Sequence, residues 1–150
     1  GRLNAHYDAH LPLRPGAVAA VKLAGQHFRL GLASGSPTPI IQHILKLTGL
    51  DEVFEVVVYG DDIPNGKPAP DIYLEALRQL GMPAATALGI EDSGNGIRSL
   101  KAAGMRIIAA PSPGFMLAPE VLAMADVKID SLEEFSLELV QKIGDIEQST

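Results

Sequence analysis

The sequence predicts an α/β fold: a parallel sheet with helices on both faces, three layers in all. Three observations predict it. Short apolar runs alternate with amphipathic segments along the chain. Most of the runs are continuously apolar rather than alternating, as strands buried on both faces should be. Three of the helical stretches are followed at once, or nearly so, by glycine, the residue that most readily closes a helix.

In chain order, Pro15 suits the first turn of a helix running to about Gln26. Phe28–Ser34 reads as the first strand. Pro39–Leu47 sets Ile40, Ile41, Ile44, Leu45 and Leu47 at helical spacing, with Gly49 as its stop. Glu55–Tyr59 is the next strand. Pro70–Leu80 brings Ile72, Ala76 and Leu80 to one face, and Gly81 follows. Thr86–Ile90 is a strand, Asn95–Ala103 a helix with Ile97 and Leu100 inward and Gly104 after it, and Met105–Ala110 and Val127–Ile129 are strands. Such alternation implies right-handed βαβ units, hence a Rossmann-like parallel sheet. Residues 1–12 fit no strand; they read as the tail of a preceding helix and a linker into a core domain spanning 13–150.

Composition narrows the function. The 150 residues suit one domain; 47% are hydrophobic but only 5% aromatic, so the core must be mainly Leu, Ile, Val and Ala. Acidic residues outnumber basic ones 18 to 12, for a net charge of −6, which argues against a nucleic-acid surface. The absence of cysteine excludes disulfides, thiolate metal sites and a Cys nucleophile. With no apolar run of spanning length and no secretory pattern at its start, the chain is expected to be cytoplasmic and not in a membrane.

In parallel sheets the chemistry gathers at the carboxyl ends of the strands, and the unusual polar residues fall there. Gly89-Ile90-Glu91-Asp92-Ser93-Gly94-Asn95-Gly96 places two adjacent carboxylates at a strand end before a glycine-rich turn. Such a pair offers the oxygen ligands that Mg²⁺ prefers; read alone, Asp92 or Ser93 could equally cap the next helix. Asn65-Gly66-Lys67-Pro68-Ala69-Pro70-Asp71 holds a lysine between a glycine and two prolines. Rigidly presented, it could neutralise a phosphate or a carboxylate, although a lone loop lysine is more often simply solvated. Ser34-Gly35-Ser36-Pro37 could bind an anion through a hydroxyl and the next N–H, or be an ordinary strand–helix turn. His6, His10, His27 and His43 show no ligand spacing, Glu133-Glu134 reads as a solvated helix face, and Asp61-Asp62 is either part of the site or only an acidic turn.

The order and spacing of Ser34, Lys67 and Glu91-Asp92 resemble motifs II, III and IV of the haloacid dehalogenase superfamily. The likeness is to its β-phosphoglucomutase-like and phosphoglycolate phosphatase-like branch. It is carried by G-D-D-I-P-N-G-K-P-A-P-D-I-Y, by G-I-E-D-S-G-N-G-I-R-S-L-K-A-A-G-M and by the closing A-D-V-K-I-D-S-L-E-E-F, and it covers about Leu13 to Phe135. The resemblance implies a Mg²⁺-dependent phosphohydrolase acting on a small phosphorylated metabolite through an aspartyl-phosphate. Ser34 and the Gly35 amide would hold the phosphoryl group. Lys67, with a bond to Pro68 that is often cis in relatives, would offset its charge. Glu91 and Asp92 would bind Mg²⁺, and Ser93 and Asn95 would support their loop.

The sequence departs from the family in one respect. Relatives open with an apolar strand ending in D-x-D-G-[TV], whose first Asp is the nucleophile and whose second is the acid/base of phosphotransferring members. No D-x-D occurs here, and Asp8-Ala9-His10 has no second Asp. The strand absent by this reading is the central one, so the strands ending at Ser34 and Glu91 are expected to flank a gap. Their open edges would invite association with another chain or with a missing N-terminal segment. The expectation is therefore a fragment of a parent roughly 70–90 residues longer at its amino end, inactive by itself. Two alternatives stand beside the phosphatase: a β-phosphoglucomutase-like phosphotransferase, and a truncated, non-catalytic binding or interaction module.

Overall fold

A computed structural model describes residues 4–7, 15–112 and 114–148, with the backbone alone for 4–7 and 145–148. Its centre is a wholly parallel sheet in the order β3-β2-β1-β4-β5-β6. The strands are β1 (Asn4–Tyr7), β2 (Gly31–Ser34), β3 (Val56–Tyr59), β4 (Ala87–Glu91), β5 (Arg106–Ala109) and β6 (Val127–Lys128). The helices between and after them are α1 (Ala17–His27), α2 (Thr38–Thr48), α3 (Asp71–Leu80), α4 (Gly94–Ala103), the short α5 (Pro119–Leu122) and α6 (Leu137–Gln148).

The strands divide their side chains between two cores, which is why they read as continuous apolar runs. Leu32, Leu88, Ile90 and Ile108 face one core with Val21 and Ala24 of α1, Ile41 and Leu45 of α2, and Val140 and Ile143 of α6. Their neighbours Ala33, Ala87, Ile107 and Ala109 face the other, with Ile72, Tyr73 and Leu77 of α3, Ile97 and Leu100 of α4, and Val121 of α5. Each fully buried Leu or Ile contributes about 1.5–3 kcal/mol, so burial on both faces holds the strand ends firmly. At Gly89 the approach is closer still: a Cβ there would lie 2.2 Å from Leu100 Cδ2, so only glycine lets α4 settle onto β4.

The predicted helix stops hold. Gly49, Gly81 and Gly104 each close a helix in the left-handed conformation, with φ of 72°, 67° and 81°. Boundaries moved by a few residues. Phe28–Leu30 leads into β2 rather than belonging to it, Thr86 ends a 3₁₀ turn (Ala84–Thr86), and Glu91 lies inside β4. Glu133-Glu134 is exposed as expected, in a 3₁₀ turn (Leu132–Glu134) that Ser131 and Glu134 fix with a capping box.

One expectation is corrected. Residues 1–12 were expected to fit no strand and to leave the centre of the sheet empty, yet Asn4–Tyr7 forms β1 between β2 and β4. Its register sets Tyr7 beside Leu32 on one side and Ile90 on the other. The cause is the cost of two open apolar strand edges, which a four-residue extended segment relieves by hydrogen bonding on both sides. The edges expected to stay unpaired are thus paired by this chain. The linker reading of the other residues in 1–12, and Asp8-Ala9-His10, lie outside the described residues.

Candidate active site

Ser34, Glu91 and Asp92 stand along one edge of the sheet, where β2 and β4 run out. The strands β2 and β4 flank β1, so their ends are two inter-strand spacings apart, about 10 Å. That is a span a phosphoryl group and its neighbours can bridge.

On the β2 side, Ser34 is fully buried and its Oγ accepts from the Ser36 N–H at 3.1 Å. The turn it begins is clamped from β3. Both the Thr38 N–H and its hydroxyl donate to Asp61 Oδ2, at 3.1 and 2.8 Å. The Thr38 hydroxyl, and after it the Thr38 N–H, hold the Asp61 carboxyl below the usual carboxylate range. Asp61 therefore fastens the start of α2; it is more than an acidic turn, and it acts through the loop rather than at the site. Gly60 lets the two loops touch, since a Cβ there would lie 2.7 Å from Gly35 Cα.

On the β4 side, Lys67 reaches across to Glu91. Its Nζ lies 2.8 Å from Glu91 Oε1 and 3.5 Å from Oε2. Thirteen per cent of the lysine side chain is exposed and none of the glutamate's. The Lys67–Pro68 bond is cis, as the resemblance implied. The loop is pinned at both ends: Asn65 Nδ2 donates to Asp71 Oδ2 at 3.1 Å, and the buried Ser99 hydroxyl donates to the Ala69 carbonyl at 2.7 Å. Tyr73, fully buried in the first turn of α3, donates its hydroxyl to the same Glu91 Oε1 at 2.9 Å, and its ring lies under Lys67 Nζ, 5.2 Å from the centroid.

Beyond β4, Asp92 is half-buried, and Ser93 caps α4 by accepting from the Gly96 N–H at 3.0 Å. The capping reading of the motif is thus realised by Ser93, while Asn95 is exposed in the first turn. Gly96 is required by the carboxylate it faces: a Cβ there would sit 1.7 Å from Glu91 Oε2.

Of the predicted residues, the fold joins Lys67 to Glu91 and sets Ser34, Gly35, Asp92 and Ser93 on the same edge. As a cation site the described residues fall short. No group of three candidate ligands occurs among them, and Glu91 is enclosed by Lys67, Tyr73 and Gly96. Mg²⁺ keeps near-octahedral oxygen coordination, which Glu91 and Asp92 do not complete. Tyr73 went unnoticed in the sequence reading, although a phenol on the apolar face of α3 must find a polar partner. A cavity of about 600 Å³ lies elsewhere, between β3 and α3, lined by Val57, Tyr59, Asp62, Leu74 and Arg78 among others.

The profile of haloacid dehalogenase-like hydrolases matches residues 2–104. Hexitol phosphatase B of Escherichia coli strain K12 is 37% identical over 126 residues, 83% of this chain and 56% of that protein. The crystal structure of CbbY from Rhodobacter sphaeroides in complex with phosphate superposes with a TM-score of 0.74 at 33% identity, covering 85% of this chain and 58% of that one. A second CbbY structure, of a mutant in complex with xylulose-(1,5)bisphosphate, gives 0.72 at 38% identity over 81% and 55%. The chain thus spans a little over half the length of these three relatives.

Proposed function

The chain belongs to the haloacid dehalogenase-like hydrolase family, and from that footing we propose that it is the phosphate-holding core of a phosphatase acting on a small sugar phosphate. The observation that carries the proposal is Lys67, held 2.8 Å from the buried Glu91 at the carboxyl edge of the sheet. A lysine so fixed presents positive charge at a defined point without reorganising when an anion arrives. The relatives' printed names, a hexitol phosphatase and a protein crystallised with a pentulose bisphosphate, support a sugar phosphate as substrate.

In this reading the Ser34 hydroxyl and the Gly35 N–H hold the phosphoryl oxygens, and Lys67 offsets their charge. An aspartate carboxylate attacks phosphorus as the P–O bond to the sugar breaks, the departing alkoxide takes a proton from water, and a second water hydrolyses the acyl phosphate to phosphate and the free carboxylate. The sequence contains no D-x-D-G-[TV] to supply that aspartate. When bound, Mg²⁺ would neutralise phosphoryl charge; Asp92 is a half-buried carboxylate at this edge that could hold it, and further ligands are needed beside it.

Two measurements test the proposal. Titration with inorganic phosphate, read by ³¹P NMR, should show saturable binding that both Lys67→Met and the charge-balanced double change Lys67→Met with Glu91→Gln abolish, each shown to be folded by circular dichroism; binding that survives in a folded variant sinks the proposal. The chain alone, assayed with hexitol phosphates and pentulose bisphosphates, should show negligible turnover. Brisk, EDTA-sensitive hydrolysis would instead locate an acceptor that this reading lacks.

A further inference from the structure

We propose that Tyr73 is a positioning residue that sets how much of the Lys67 charge is available to a phosphate; the inference rests on the phosphate-binding role given to Lys67 above. Two contacts converge on it. The Tyr73 hydroxyl donates to Glu91 Oε1 at 2.9 Å, the same oxygen that accepts from Lys67 Nζ at 2.8 Å. The Tyr73 ring lies beneath that ammonium, its centroid 5.2 Å from Nζ.

The physical argument concerns competition for one oxygen. Glu91 has no solvent exposure, and Gly96 closes on its other oxygen. A buried carboxylate draws hard on whatever donors reach it. If Lys67 were its chief donor, the ammonium would be turned inward and largely neutralised, a poor phosphate contact. The phenol takes part of that demand, which leaves more of the lysine charge for an arriving anion. The ring adds a face over which a cation is favoured, limiting where Nζ can lie. Glu91 and Tyr73 thus jointly aim Lys67, and neither touches the substrate.

A phenylalanine separates the two contributions, because it keeps the ring and loses only the hydroxyl; leucine loses both. With the chain as it stands and inorganic phosphate as the probe, Tyr73→Phe should weaken binding by about three- to tenfold, as Lys67 is drawn onto Glu91. Tyr73→Leu should cost roughly a further threefold. A second readout is the acetylation rate of Lys67 by an N-hydroxysuccinimide ester, followed by peptide mass spectrometry; Tyr73→Phe should slow it several-fold relative to Lys22. A purely structural tyrosine would lower the melting temperature and leave affinity and acetylation rate alone, which would overturn the inference. If Lys67→Met abolishes phosphate binding and Tyr73→Phe does not alter it, the inference fails and the phosphate reading stands. If Lys67→Met changes nothing, both fall. If the native chain binds no phosphate, an acetylation rate unchanged in Tyr73→Phe overturns the inference by itself.

Discussion

Helix α3 stands between two acid–base pairs of similar chemistry and very different consequence. On its inner side Tyr73 meets Lys67 and Glu91, with side-chain exposures of 13% and 0%. On its outer side Glu75 pairs with Arg78, at 26% and 72%. The outer pair sits in water, where attraction is weak and screened. The inner pair has given up its hydration, so each partner depends on the other. The guanidinium of Arg78, with help from the Gln79 amide, lowers the Glu75 carboxyl to about 2. Both partners keep contact with solvent, so screening leaves the pair a small net contribution despite that shift. The contrast teaches that bond geometry does not rank importance; burial does.

The largest expected effect comes from removing the cation beside Glu91. Lys67→Met should destabilise the domain by about 3–5 kcal/mol in urea unfolding, because a buried charge loses its partner. The double change Lys67→Met with Glu91→Gln should recover much of that loss, and additive costs would show that the two do not act as a pair. Next comes crowding of the same carboxylate. Gly96→Ala places a Cβ 1.7 Å from Glu91 Oε2 and should cost about 1–3 kcal/mol by the same measurement, although alanine is the better helix former. No loss would mean that Glu91 has room to move.

The smallest effect belongs to the outer pair, and it depends on pH. The folded-state pKa of Glu75 lies below its ordinary value of 4.5, so its stabilising contribution is present above that value. It is lost as pH falls toward about 2. Arg78→Ala should raise the Glu75 carboxyl midpoint part of the way to its ordinary value in an NMR titration, the Gln79 amide still donating, and should lower the neutral-pH melting temperature by only about 1–3 °C. A large fall in melting temperature at pH 7 would break the comparison.

Much of the site was legible before the fold. Ser34, Lys67 and Glu91-Asp92 were readable because each sits at or just after an apolar run, and strand ends are where parallel sheets assemble chemistry. Their partners were not. Nothing in local pattern couples Tyr73 to Glu91, 18 residues away, or Thr38 to Asp61, 23 away. Long-range hydrogen bonds follow from which elements become neighbours. Metal binding by Glu91 rests on the adjacent carboxylates and on the resemblance; in the fold that carboxylate is buried and accepts from Lys67 and Tyr73.

The two ends of this knowledge differ for a physical reason. The sequence by itself determined the local facts: apolar runs long enough for two-sided strands, helices closed by glycine, a lysine stiffened by flanking prolines. These depend on near neighbours and on φ/ψ preference, which composition encodes directly. Only the tertiary structure decided the rest: that Lys67 pairs with Glu91, that Tyr73 shares the same oxygen, and that Asn4–Tyr7 enters the sheet. The tetrapeptide Asn-Ala-His-Tyr has little strand pattern of its own. It becomes a strand because β2 and β4 on either side offer hydrogen bonds that no other described segment fills.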